Sequence, residues 1–149
     1  MKAKVTWILV ADGARARILA RRGGDGALVQ IPDGAFTNVV RRVSELGTDR
    51  PGRVHESANA ARHAVTPRVD WRHEEKRSFA HRLGEFLEQN SLRKAFDHLV
   101  LVAAPQFLGD LRGSIGEETR KRLTGELDKD LTKLPLDEIQ SHLISAHLL

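Results

Sequence analysis

The first apolar run, Val5-Thr6-Trp7-Ile8-Leu9-Val10-Ala11, does not alternate with polar positions. That is the pattern of a strand buried on both faces, and it predicts a central strand. Asp12-Gly13 follows, and because Gly accepts positive φ without a steric penalty the pair predicts a two-residue type I′ turn. Beyond it, Ala14, Ala16, Ile18 and Ala20 alternate with Arg15, Arg17, Leu19 and Arg21, so the second strand of a hairpin carries an arginine-bearing face. Gly23-Gly24-Asp25-Gly26 reads as a second turn and Ala27 to Ile31 as a third strand, with Pro32-Asp33-Gly34 closing a three-stranded antiparallel meander. Phe36, Val39, Val40 and Val43 stand at helical spacing, which suits a turn or two of helix or an extended edge segment.

Residues 46–70 lack a periodic apolar pattern and contain Gly47, Pro51, Gly52 and Pro67. A long loop is expected here, and long loops inside small domains usually carry function. Asp70 is placed to cap a helix whose apolar positions Phe79, Leu83, Phe86 and Leu87 repeat at helical spacing, ending near Asn90. His98 to Ala104 is a second continuous apolar run stopped by Pro105, and a helix crossover predicts that it pairs in parallel with the first strand. A short helix over Gln106 to Arg112, a capping box of Ser114 with Glu117, and a polar strand over Leu127 to Leu134 after a break at Gly125 come next. Pro135 then opens an amphipathic helix with Leu136, Ile139, Leu143 and Ile144.

At 149 residues, with 40% hydrophobic and 30% charged positions, the composition fits one globular domain spanning 1–149 rather than a disordered chain. No apolar run approaches the roughly 20 residues needed to cross a bilayer. The sequence contains no cysteine, so disulfides, thiolate metal sites and cysteine nucleophiles are excluded, and a cytoplasmic setting without membrane association is expected. Charge is unevenly spread: residues 15–82 hold 14 basic and 8 acidic side chains, whereas residues 83–149 hold 8 basic and 11 acidic ones. Most of the positive charge is arginine, whose planar fork pairs with phosphate and stacks on bases.

Chemistry is harder to find. A two-metal nuclease needs several converging carboxylates, and Asp12 is the one strand-end candidate, in an Asp-Gly context that suits a turn residue. His55, Glu56, Ser57, His63, Asp70, His73 and Glu74 are the right types for a metal or a serine-histidine-acid site, but their spacings match no signature. Gly23-Gly24-Asp25-Gly26 lacks the lysine and helix of a phosphate loop. No cofactor, metal or catalytic residue is therefore expected. The binding candidates are Arg50, Arg53, His55, Arg62, His63 and Arg68 in the loop with Arg72 and Lys76 at the start of the helix, an arginine-rich set suited to phosphates, with histidines that can stack on bases.

The segments WILVADGARARI (Trp7 to Ile18), DRPGR (Asp49 to Arg53), VLVAAPQFLGDLR and GELDKDLTKL (Gly125 to Leu134) resemble the bacterial host-attachment protein family, in order and spacing over almost the whole chain. That family in turn looks like a relative of the central domain of archaeo-eukaryotic class-one release factors and of Pelota. The order of elements along the chain suggests an α/β, ribonuclease H-like fold: a mixed sheet of about five strands, an antiparallel meander followed by helix crossovers, flanked by helices. In release factors the corresponding loop carries Gly-Gly-Gln. Here it has Gly52-Arg53, and the chain's glutamines are Gln30, Gln89, Gln106 and Gln140, so peptide release is not implied. The expectation is a non-catalytic module that binds the ribosome or structured RNA, with an indirect role in attachment. The alternatives are a protein-interaction or regulatory domain and a small hydrolase using His55 and His63.

Overall fold

The computed structural model describes residues 3–38 and 57–149, with side chains from residue 72 onward in the second stretch. Among the described residues five strands form one sheet: β1 (Val5–Ala11), β2 (Arg15–Arg22), β3 (Val29–Thr37), β4 (His98–Ala103) and β5 (Leu123–Leu127), in the order β3-β2-β1-β4-β5. β1 pairs antiparallel with β2 and parallel with β4, and β5 continues the parallel half. This is the mixed ribonuclease H-like arrangement expected from the chain pattern.

The central place of β1 explains its composition. Trp7, Leu9 and Ala11 enter one core layer with Phe79, Leu83, Leu87, Phe107 and Leu111, while Ile8 and Val10 enter the other with Leu19, Val100, Leu131, Ile139 and Leu143. The first layer lies under α1 (Ser57–Leu92) and α2 (Pro105–Arg112), the second under α4 (Leu136–Ser145). A strand sandwiched in this way has no solvent side, so strict alternation would bury polar groups without partners.

Several local expectations are corrected. The β1–β2 turn is centred on Gly13 and Ala14, because Ala11 pairs with Ala16 and the Asp12 N–H donates to the Arg15 carbonyl. Gly13 does not have positive φ, and Asp12 Oδ1 instead accepts from the Ala14 and Arg15 N–H groups at 2.7 and 2.8 Å. An aspartate that satisfies two turn donors removes the need for a type I′ turn. Pro32-Asp33-Gly34 does not close the meander. It lies inside β3 as a bulge, with Asp33 at φ 61° and the register slipping between Arg17 and Leu19. Phe36 is therefore in the strand, and Val39 to Val43 lie outside the described residues.

The polar strand expected over 127–134 falls earlier, at Leu123–Leu127, with Gly125 paired to Val100 rather than breaking the element. Leu131 and Thr132 are instead buried from an irregular segment that covers the second layer. Ser114 makes no capping box: its hydroxyl donates to the Asp110 carbonyl at 2.8 Å. The N-terminus of α3 (Glu117–Arg122) is served from another helix, since the Glu88 carboxylate accepts from the Glu118 and Thr119 N–H groups at 3.3 and 3.0 Å.

The largest correction concerns α1. Its helix begins at Ser57, so Asp70 is an interior residue rather than a cap, and 57–70 is helical rather than a loop. Ala58, Ala60, Ala61 and Ala64 supply the helix propensity that apolar periodicity misses. At 36 residues and about 1.5 Å of rise per residue the helix runs roughly 54 Å, well beyond the roughly 20 Å of a six-residue strand.

Candidate nucleic-acid interface

The sequence candidates separate into three groups. Arg50, Arg53 and His55 lie outside the described residues. Arg62, His63 and Arg68 fall on the backbone of α1, and Arg72 and Lys76 follow on the same helix as exposed side chains. The loop that was to gather them is thus, from residue 57 on, a helix that spaces them regularly.

That spacing has a direction. With roughly 100° of rotation per residue, positions 62, 68, 72 and 76 fall within a sector of about 120°, and position 63 falls outside it. The buried positions Phe79, Ala80, Leu83 and Leu87 occupy nearly the same sector farther along the helix. The stripe of α1 that meets the sheet is apolar from Phe79 onward, and before it the same sector carries Arg62, Arg68, Arg72 and Lys76 interspersed with Ala58, Ala61, Val65 and Val69. The change occurs where β1 ends: a Cβ on Gly13 would lie 2.8 Å from Lys76 Cε, so the lysine stem lies across the β1–β2 turn.

A polar seam fixes this junction. The Asn38 amide, 6% exposed, donates to the Gly13 carbonyl at 3.1 Å and to the Glu75 carbonyl at 3.3 Å, and its oxygen accepts from Arg82 at 2.8 Å. Arg82 also lies over the Phe79 ring, 5.2 Å from its centroid. On the opposite side His73 Nδ1 and the Gln106 amide are 3.4 Å apart. Hairpin, third strand and helix are held in one relation at the C-terminal ends of β1 and β4, the edge at which open α/β sheets present ligand-binding residues.

The seam also divides the cations by role. Arg77 is paired with Glu74 at 3.0 Å, and Arg82 is committed to Asn38 and Phe79. Arg17, on the supposed arginine face of β2, is half-buried and donates to the Thr132 and Leu134 carbonyls at 3.4 and 2.8 Å. It clamps the segment before α4 and is not a surface group. Arg72, Lys76 and, at the turn, Arg15 remain as exposed cations at this edge.

Asp12 is a turn residue. Oδ1 is occupied by two backbone donors, and Oδ2 lies 3.1 Å from the Thr132 hydroxyl, which also meets Asp130 Oδ1 at 2.7 Å. Among the described residues no group of three or more His, Asp or Glu side chains is arranged to hold a metal ion, and no helix is long and apolar enough to cross a membrane. Asn38 was missed in the sequence because a single asparagine after a strand carries no local sign of a bridge to a helix 37 residues on.

A search of curated proteins returned no match to this chain. A family model described as "Protein required for attachment to host cells" matches residues 7–143, which takes in β1 from Trp7 on, the other four strands and the cationic stripe. The chain belongs to this family of host-attachment proteins.

Proposed function

We propose that the chain serves attachment to host cells indirectly, as a non-catalytic, release-factor-like module that binds structured RNA, ribosomal RNA included. The observation that carries this reading is the basic continuation of the α1 stripe past the sheet, with Arg62, Arg68, Arg72 and Lys76 in one sector. Arg68, Arg72 and Lys76 follow one another at about one turn of helix, a spacing of roughly 6 Å that matches consecutive phosphates along a strand. The fixed seam at Asn38 supports the reading, because it holds the helix still where the cations begin. The occupied carboxylate of Asp12 favours binding over phosphodiester cleavage.

Filter binding to a structured RNA, repeated across a salt series, tests the proposal. Replacing Arg72 and Lys76 together by Ala should weaken binding at low salt and reduce the slope of log affinity against log salt by about two, one for each phosphate that is no longer neutralised. Absence of binding at low salt overturns the proposal, and so does a slope unchanged by the double substitution. Capture of protein partners that survive ribonuclease treatment would favour a protein-interaction role instead.

A further inference from the structure

A second surface lies at the other end of the sheet, away from the basic stripe. The C-terminal part of α1 stands off the β2–β3 edge and leaves a groove of about 780 Å³, floored by Val5, Trp7, Ala20, Ile31, Phe86 and Ala95. The volume is in the usual range of small-molecule sites. The aromatic rings at its base pack on one another: Trp7, 6% exposed, stacks on Phe96 and Phe86 with centroids 4.6 and 6.2 Å apart, and Phe36 meets Phe86 edge-on at 5.0 Å.

The rim carries polar groups of two kinds. Gln30, Gln89 and Asn90 border the floor. The Asn90 amide nitrogen donates to the Phe86 carbonyl at 2.8 Å, leaving its oxygen as an acceptor, whereas the Gln30 oxygen accepts from Arg17 at 3.4 Å, leaving its nitrogen as a donor. One fixed acceptor and one fixed donor beside an apolar floor suit the hydrogen-bonding edge of a heteroaromatic ring. Exposed Arg22 and Arg93 border the same groove, and Arg22 also borders an adjoining hollow with Lys4 and Lys94. The acids along the two hollows are Asp33 and Asp97, and Asp97 is already engaged by the Val5 N–H at 2.9 Å. Four cations against two carboxylates leave an excess of positive charge beside a flat apolar floor.

We propose that this groove is a binding site for a nucleoside phosphate, with the base against the apolar floor of Val5, Ala20, Ile31, Phe86 and Ala95 above the buried Trp7, and the phosphates toward Arg22, Arg93 and the two lysines. The site is independent of the RNA reading and shares no residue with the α1 stripe.

Trp7 reports on it directly. The chain has two tryptophans, so Trp71→Phe leaves Trp7 as the sole emitter. Titration of that variant with ATP and GTP should give saturable quenching, and adding Arg22→Ala and Arg93→Ala should weaken the affinity at least about tenfold, as expected when charge-assisted phosphate bonds are removed. Both arginines are exposed, and circular dichroism checks that the variants fold. No saturable change with either nucleotide overturns the proposal. An equal affinity for tripolyphosphate alone, or no effect of the arginine substitutions, overturns it as well. Arg72→Ala with Lys76→Ala should leave the nucleotide response intact, so that failure of the RNA reading is distinguishable from failure of this one.

Discussion

Glu88 joins two helices with one side chain, and its removal has a calculable cost. The carboxylate leaves α1, crosses against Gly116 and accepts three bonds at the start of α3: the Glu118 N–H at 3.3 Å, the Thr119 N–H at 3.0 Å and the Thr119 hydroxyl at 2.8 Å. Glu88→Gln keeps the shape and one acceptor oxygen, but it makes the bonds neutral and sets an amide N–H against the Glu118 N–H. Charge-assisted bonds contribute about 1.5–3 kcal/mol and neutral ones about 0.5–1.5 kcal/mol. The exchange should therefore cost about 1–2 kcal/mol, a fall in Tm of about 3–6 °C for a chain of this size. Glu88→Ala should cost more, about 3 kcal/mol, because the fully buried Thr119 N–H loses its partner.

The same bonds set a pH dependence. Burial raises the Glu88 pKa, but the bonds from the Thr119 N–H, the Thr119 hydroxyl and the Glu118 N–H outweigh it and hold the carboxyl below its ordinary value of 4.5. A depressed folded-state pKa means that the stabilisation is complete above 4.5 and disappears as pH falls through the lower folded value. Urea or thermal unfolding of parent and Glu88→Gln, stepped from neutral pH into acid, should show a gap that closes below 4.5. A glutamine variant as stable as the parent at neutral pH refutes the reasoning, as does a gap that persists in acid.

Other outcomes follow from close packing and from the seam. Gly84→Ala should stabilise an isolated helix by about 1 kcal/mol, yet its Cβ would lie 2.3 Å from the Ser114 carbonyl oxygen. A net loss of about 2 kcal/mol in urea unfolding is expected, and a gain would show that α1 and α2 can separate without cost. Asn38→Ala leaves the Gly13 and Glu75 carbonyls without the amide and should cost about 2–3 kcal/mol by the same assay. It should also weaken RNA binding, because it frees the helix at the point where the cations begin. Phe79→Ala removes a fully buried ring and should cost about 3–5 kcal/mol.

β1 and β4 were legible because each is a continuous apolar run apart from Thr6 and His98, a pattern that suits a strand between two layers. Their parallel pairing followed from the crossover between them. The cap of α3 was not legible, since it comes from Glu88, thirty residues before Glu118, and Ser114 offered a local alternative. The Pro32-Asp33-Gly34 bulge looked like a turn for a related reason. Those residues reverse a chain when nothing holds them, but here β2 pairs on both sides of them and absorbs three extra residues as a slip in register.

The start of α1 was hidden for a more general reason. Apolar periodicity marks a helix only where a partner layer lies beneath it, and β1 and β4 end near the level of Lys76. Before that point, the sector that buries Phe79, Leu83 and Leu87 meets no sheet among the described residues, and arginines at helical spacing stand there among small and β-branched residues, Ala58, Ala61, Val65 and Val69. A search for apolar repeats sees these as two unrelated segments, although one rotation of roughly 100° per residue generates both. Arg62, Arg68, Arg72 and Lys76 are thus placed by the same helix geometry as the core residues of α1, which gives a direct physical connection between the sheet that builds the fold and the surface proposed to bind RNA.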